Sequence, residues 1–331
     1  MANSPLPTAP DIEDVRSAAD RIAPYAVRTP LLESSHLNEI SGGRLLIKAE
    51  PLQRTGSFKF RGAFNTVSRL TEEDMAHGVV AYSSGNHAQG VASAAQILGI
   101  LAVIVMPEDA PRVKIENTRS FGAKVVFYDR YNDDREAIAE QIMEARSATL
   151  IRPYEDPRII AGQGTTGLEI AEQSRERDIS LDAVLVCCGG GGLISGCATV
   201  FAEEMPETDV YSVEPEGFDD TARSLAAGER LRVDPDCRSF CDALQAPMPG
   251  ELTFSINKRL LAGGLVVSDA QVSDAMRQAY DRLKLIVEPG GAVALAAALS
   301  GVFDCSDKTV AVVCSGGNVD ADTFSRVLSD S

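Results

Sequence analysis

Two open, twisted, mostly parallel β-sheets with helices on both faces are the architecture this sequence predicts, within the α/β class. Short apolar runs rich in valine and isoleucine alternate with helical patterns. Continuous apolar strands of that kind belong to parallel sheets covered on both sides. The number of such runs suits two sheets better than one. Several of them also pass through glycine-rich turns directly into helices, the joint at which open α/β sheets bind ligands.

Taken in order, strands are expected at 45–50, 78–84, 102–107, 124–129, 148–154, 183–190, 209–215 and 309–317. Helices are expected at 87–98, 135–145, 165–174, 193–205, 268–284 and 290–301. The stretch 216–256, rich in prolines and charges, reads as a long irregular excursion over the surface. No internal repeat or low-complexity tract interrupts the pattern.

The chain has 331 residues, enough for about two domains and a sizeable core. A net charge of -17 argues against nucleic acid and against an anionic membrane surface as partners. It leaves room for a small anionic ligand held by a local nest of amides. The polar, acidic start MANSPLPTAPDIEDV has no signal-peptide pattern, and no uncharged apolar run is long enough to span a bilayer. The 7 cysteines form no CxxC, and Cys187, Cys188, Cys197 and Cys314 lie in apolar runs. They read as free, mostly buried thiols in a reducing cytoplasm. The histidines His36, His77 and His87 are not near cysteines in sequence, which argues against a zinc site.

In TGSFKFRG, residues 55–62, Lys59 stands between Phe58 and Phe60. It is either a snorkelling surface lysine or a partly desolvated amine able to form a Schiff base. In CCGGGGLISG the four consecutive glycines Gly189, Gly190, Gly191 and Gly192 bare the amides over a helix start, which suits a phosphate. The spacing fits neither GxGxxG nor a P-loop, so dinucleotide and nucleoside-triphosphate readings lose ground. In SSGNHAQG, Ser83, Ser84, Asn86 and His87 crowd another helix N-terminus, beyond what capping requires, and suit a carboxylate. Ser315 closes the last apolar strand in CSGGNVD.

Together SFKFRGA, SSGNHAQG, IAGQGT, CGGGGL, EPGGA and CSGGNV resemble, in order and spacing, the fold-type II pyridoxal-phosphate enzymes with a tryptophan synthase β-like fold. Within them the chain looks like the serine/threonine dehydratase and serine racemase branch, over about residues 15–325. The resemblance implies a pyridoxal 5'-phosphate cofactor carried by Lys59, with Phe58 beside its ring and Asn86 on its ring hydroxyl. The amides of Gly189 to Gly192 and Leu193 would take the phosphate, and Ser315 the pyridine nitrogen. The substrate carboxylate would dock on Ser83, Ser84, Asn86 and His87, and Lys59 would move the α-proton. Ser84 matches the serine that works the opposite face in racemases. EPEGFDD matches a divalent-cation segment, with Glu214, the Phe218 carbonyl and Asp220 as ligands for magnesium, calcium or manganese.

Departures bear on substrate. Arg152 stands where the family often has histidine, and Arg135 lies where the racemase branch has an arginine that closes over a dicarboxylate-like ligand. Either would suit 3-hydroxyaspartate; the alternative for Arg152 is a surface pairing with Glu155 or Asp156. Ala246 replaces a racemase serine that touches substrate. The sequence thus reads as a cytoplasmic, homodimeric lyase that eliminates water from L-threonine, L-serine or 3-hydroxyaspartate, giving a 2-oxo acid and ammonia. A large cofactor-binding domain is expected at 1–75 and 156–331, and a small mobile domain at 76–155. The alternatives are a serine racemase and, from other classes, an NAD-dependent dehydrogenase or a non-catalytic ligand-binding protein.

Overall fold

The chain is seen in a computed structural model that describes residues 6–83, 85–130 and 132–329. Its strands are β1 (Leu31–Leu32), β2 (Arg44–Ala49), β3 (Val79–Tyr82), β4 (Ala102–Pro107), β5 (Lys124–Tyr128), β6 (Thr149–Leu150), β7 (Ala183–Cys187), β8 (Asp209–Pro215), β9 (Gly263–Val267) and β10 (Thr309–Cys314). They form a 6-stranded sheet in the order β1-β2-β10-β7-β8-β9 and a 4-stranded sheet in the order β5-β4-β3-β6. Every pairing is parallel except β1 with β2. The expected α/β architecture with two sheets is therefore the one observed.

The smaller sheet draws all its strands from residues 79–150, and the larger one from the sequence on either side. The strand expected at 148–154 shortens to β6, because the chain leaves the sheet at Ile151 to reach the cleft. Two strands were not legible. β1 is only two residues long, and β9, GGLVV, opens on glycines that read as a turn. Within the expected excursion, Asp220–Ala227 is helical and a helix begins at Glu251, leaving 228–241 irregular.

Apolar strand interiors make the core. In β10, Val310 to Cys314 are all buried, and in β7 the whole strand is. The helix Pro289–Leu299 is almost entirely alanine, valine and leucine and is buried over most of its length against the larger sheet. The helix Lys59–Val67 instead lends Phe60, Ala63, Phe64 and Val67 to the core of the smaller sheet. Its first residue therefore sits at the joint between the two sheet units.

That joint is tight because glycines face one another. A Cβ on Gly162 would lie 2.5 Å from Gly62 Cα, and one on Gly196 would lie 2.5 Å from the Gly164 nitrogen. The helices Lys59–Val67, Pro157–Arg175 and Gly192–Glu204 thus touch backbone to backbone, which explains the spacing of IAGQGT. Asp156 caps the middle helix through the Arg158 amide, and Pro157 occupies its first position. Among the described residues, no helix is long and apolar enough to cross a membrane.

Candidate active site

A cleft opens between the two sheets at the carboxyl ends of their strands. Phe58, Lys59, Ser83, Asn86 and Arg135 are among the residues that line it, with the glycine loop and Ser315. Among the other lining residues are Lys114, Tyr154, Cys187 and Asp242, to which the sequence reading gave no role.

Lys59 is the first residue of its helix. Its Nζ donates to the Pro153 carbonyl at 3.0 Å and lies 5.2 Å from the Phe58 ring centroid. No carboxylate pairs with it among the described residues. Burial therefore goes uncompensated and pushes its ammonium down to about 8. The snorkelling alternative is not what the structure shows: this amine is poised to be neutral, as a carbonyl-capturing nucleophile requires.

Opposite it, Gly191 carries φ 92°, a left-handed turn that opens the helix Gly192–Glu204. A Cβ on Gly190 would lie 2.3 Å from the Tyr154 ring. The Thr253 hydroxyl donates to the Gly190 carbonyl at 2.8 Å, turning that acceptor away. What remains is a row of bare amides at a helix N-terminus, which is what a phosphate needs. Ser315 closes the floor, and its carbonyl accepts from the Phe58 amide at 3.1 Å. The adjoining Cys187 thiol is pushed up to about 11 by burial, so it stays protonated beside Lys59.

The second helix N-terminus, at Asn86–Leu98, forms the other wall. The Ser83 hydroxyl accepts from the Gly85 amide at 3.1 Å. Asn86 donates through Nδ2 to Glu288 Oε1 and accepts at Oδ1 from Asn318 at 2.9 Å. His87 departs from its expected part. Its Nε2 lies 2.9 Å from the Ile151 carbonyl, and burial, reinforced by Lys59, pushes it down to about 3. A neutral, buried ring tied to a carbonyl is no carboxylate anchor; only the backbone amide of residue 87 remains for that duty. Ser84 lies outside the described residues.

The two arginines separate. Arg135 lines the cleft, its Cζ 5.5 Å over the Tyr82 ring. Arg152 is exposed and lines a different groove with Glu140, Met143 and Arg158. Neither local partner expected for it is used that way: Asp156 pairs with Arg158 at 3.0 Å, and Glu155 accepts from the Leu252 and Thr253 amides.

The expected cation segment is partly built. Glu214 and Asp220 are both fully buried. Glu214 already accepts from the Thr221 and Ala222 amides, whereas neither Asp220 oxygen has a partner. Burial pushes the Asp220 carboxyl up to about 7 and raises that of Glu214 well above its usual range. Among the described residues, no three acidic, histidine or cysteine side chains gather around one point.

The family model for pyridoxal-phosphate dependent enzymes matches residues 22–316. The chain belongs to the pyridoxal-phosphate-dependent enzymes. It is 41% identical over 320 residues to the serine racemase of Schizosaccharomyces pombe, covering 97% of this chain and 98% of that protein. It is 43% identical over 315 residues to the L-threo-3-hydroxyaspartate ammonia-lyase of a Pseudomonas species, covering 95% and 97%. The crystal structure of the T.th. threonine deaminase superposes with a TM-score of 0.89 at 45% identity, covering 94% of this chain and 99% of that one. Lys59, the glycine loop and Ser315 thus form a pocket that fits the family's cofactor: an unpaired amine, a phosphate cradle and a hydroxyl at the floor.

The Lys59 environment gives a pH signature. An ammonium lowered to about 8 is protonated below that value and free above it. The rate at which cofactor-free protein captures pyridoxal phosphate covalently, followed by absorbance, is expected to rise through pH 8 and flatten beyond it. A midpoint near the ordinary lysine value of about 10.4 contradicts the burial argument.

Proposed function

We propose that this chain is a lyase that eliminates water from a β-hydroxy amino acid, releasing a 2-oxo acid and ammonia, with 3-hydroxyaspartate ahead of L-threonine and L-serine as substrate. The observation that carries the reaction is Lys59: a buried amine with no carboxylate partner, facing both helix N-termini of the cleft. Bound pyridoxal phosphate supplies the sink for the electron pair left when the α-proton departs. Gly189 to Gly192 and Leu193 would hold its phosphate, and Asn86 and Ser315 its ring substituents. Lys59 Nζ, its free-base form made more accessible by the lowered value of about 8, takes the α-proton. Ser83 and the first amides of the helix Asn86–Leu98 orient the α-carboxylate. The β-hydroxyl leaves with a proton as water, and the enamine product, once released, hydrolyses to 2-oxo acid and ammonia. A hydroxyl at Ser315 neither protonates nor deprotonates its partner at neutral pH, which suits prompt elimination.

Arg135 supports the acidic substrate. A guanidinium stacked on Tyr82 at the cleft wall is set to fork onto a second carboxylate. The Pseudomonas relative named for L-threo-3-hydroxyaspartate supports the same reading. Racemisation is the second reading, supported by the serine racemase relatives; Ser84 would be its opposite-face acid.

Ammonia release from the cofactor-loaded protein tests these assignments, with L-serine, L-threonine and the stereoisomers of 3-hydroxyaspartate supplied in parallel. Release is expected to be strongest from one 3-hydroxyaspartate isomer. Arg135→Met is expected to lower kcat/KM for that isomer on the order of a hundredfold while sparing serine and threonine. Lys59→Ala is expected to lower every activity by about a thousandfold or more. Equal release from threonine with and without Arg135, and none from 3-hydroxyaspartate, would return that arginine to a structural role. Interconversion of serine enantiomers without ammonia would favour the racemase.

The orphaned Asp220 oxygens support a divalent cation shared with Glu214 and the Phe218 carbonyl. Because the Asp220 carboxyl is raised to about 7, a proton competes with the metal below that pH. Magnesium, calcium or manganese is therefore expected to raise the melting temperature more at pH 8 than at pH 6, with Asp220→Asn abolishing the gain. An unchanged melting temperature with all three ions at pH 8 would remove the site.

A further inference from the structure

A buried ion pair crosses the cleft, and the mechanism above does not use it. Lys114 belongs to the helix Arg112–Ser120, beside the smaller sheet. Its Nζ lies 2.8 Å from Asp242 Oδ2 and 3.2 Å from Glu288 Oε2, both on the side of the larger sheet. The Lys114 and Glu288 side chains are 2% and 1% exposed, while that of Asp242 is 34% exposed. The lysine stem runs beneath the substrate loop, where a Cβ on Gly85 would lie 2.5 Å from Lys114 Cδ.

Glu288 has a second duty. Its other oxygen receives the Asn86 Nδ2 donor, and Asn318 donates to Asn86 Oδ1 from the opposite side. An amide nitrogen carries two hydrogens. With one on Glu288 and the oxygen occupied by Asn318, the orientation of Asn86 is fixed and the remaining N–H is available to an acceptor in the cleft.

We propose that Lys114 is a positioning residue for the cofactor: by holding Glu288 as a carboxylate it locks the Asn86 amide with its free N–H toward the ring oxygen. The proposal rests on the reading of Asn86 as the partner of that oxygen. Its physical basis is the cost of an uncompensated buried carboxylate. Burial raises the Glu288 carboxyl and Asp242 pushes it the same way, while Lys114 and the Asn86 donor oppose them. The Cys187 and Cys241 thiols also sense Glu288, and burial keeps both protonated. Without Lys114 no cation faces Glu288 closely, so it takes up a proton. A proton on Oε1 puts an O–H where an acceptor stood, and a proton on Oε2 leaves Oε1 a neutral carbonyl, a weaker acceptor than the carboxylate, so either way the lock on Asn86 loosens. The same ion pair ties the lysine stem under Gly85 to the larger sheet, so a single side chain sets both orientation and register.

The test is the Kd for pyridoxal phosphate as a function of pH, measured by equilibrium titration on the full chain. Lys114→Met keeps the stem under Gly85 and removes the charge. It is expected to weaken binding about tenfold, the value of a hydrogen bond to a charged group. It is also expected to add to the pH profile an ionisation beyond that of Lys59, which the unaltered protein lacks. In the double variant Lys114→Met, Glu288→Gln, a neutral acceptor again faces Asn86. That ionisation is expected to vanish and most of the affinity to return. A Lys114→Met protein with unaltered Kd and pH profile overturns the proposal, as does a double variant that behaves like the single one. If Lys114→Met is insoluble and the double variant soluble, the uncompensated charge is identified and the proposal stands. If both are insoluble, Lys114 serves the fold and the proposal falls. Asn86→Ala separates the two layers. Weak binding there with an unaffected Lys114→Met overturns only the role of Lys114. Unaltered binding in both overturns the Asn86 reading along with it.

Discussion

The structure turns on a half-buried amine that is given no counterion among the described residues. Lys48 and Lys114 are buried and Lys59 is half-buried on the cleft wall, and the three are treated differently. Lys48 meets Glu169 at 2.6 Å, and Lys114 meets Asp242 and Glu288. Lys59 meets the Pro153 carbonyl and the Phe58 ring, and no carboxylate among the described residues. A buried ammonium without a carboxylate is destabilised relative to its free amine, so desolvation alone readies it for chemistry. Around it, the glycine loop and the start of the helix Asn86–Leu98 present amides and hydroxyls to the cleft, and Arg135 stands further off on the wall over Tyr82.

Holding such a group costs stability, and the helix that carries it is fastened by everything around it. Two residues along the same helix, Arg61 is fully buried and bridges Glu50 at 2.8 Å and Glu169 at 2.7 Å. Gly62 faces Gln163, which accepts from the Gly62 amide at 3.1 Å. Phe60 and Phe64 fill the core of the smaller sheet. In SFKFRG, then, the lysine serves the cleft while its neighbours fix the helix between two sheets. The arginine of the motif belongs to the scaffold and the lysine to the wall of the cleft.

Much of this was legible because periodicity and glycine placement have simple causes. Buried parallel strands are largely apolar, so β2, β3, β4, β7, β8 and β10 could be read directly, and β5 from its VVFY run. A run of four glycines before a helix has few uses besides an anion. What could not be read depends on long-range proximity. The pairing of Lys114 with Glu288 spans 174 positions, and nothing local in RVKIEN marks that lysine as buried. The glutamate stood in view within EPGGA, without a partner to give it meaning. The separation of Arg135 from Arg152 has the same origin: both are arginines near acidic residues, and only the fold sets Arg135, at the start of the helix Arg135–Arg146, in the cleft and Arg152, just past β6, in a different groove. His87 shows the reverse limit: it lines the cleft as a polar residue in a polar motif, but its ring lies 2.9 Å from the Ile151 carbonyl, a contact no local pattern announces.

The central claim is that the unpaired amine is the one that carries the cofactor. Borohydride reduction of the pyridoxal-phosphate-loaded protein, followed by digestion and mass analysis of the labelled peptide, tests it directly. The account expects one pyridoxyl group per chain, on Lys59. A label on Lys48, on Lys114 or spread over surface lysines would contradict it, because it would mean that burial without a counterion does not select the reactive amine here.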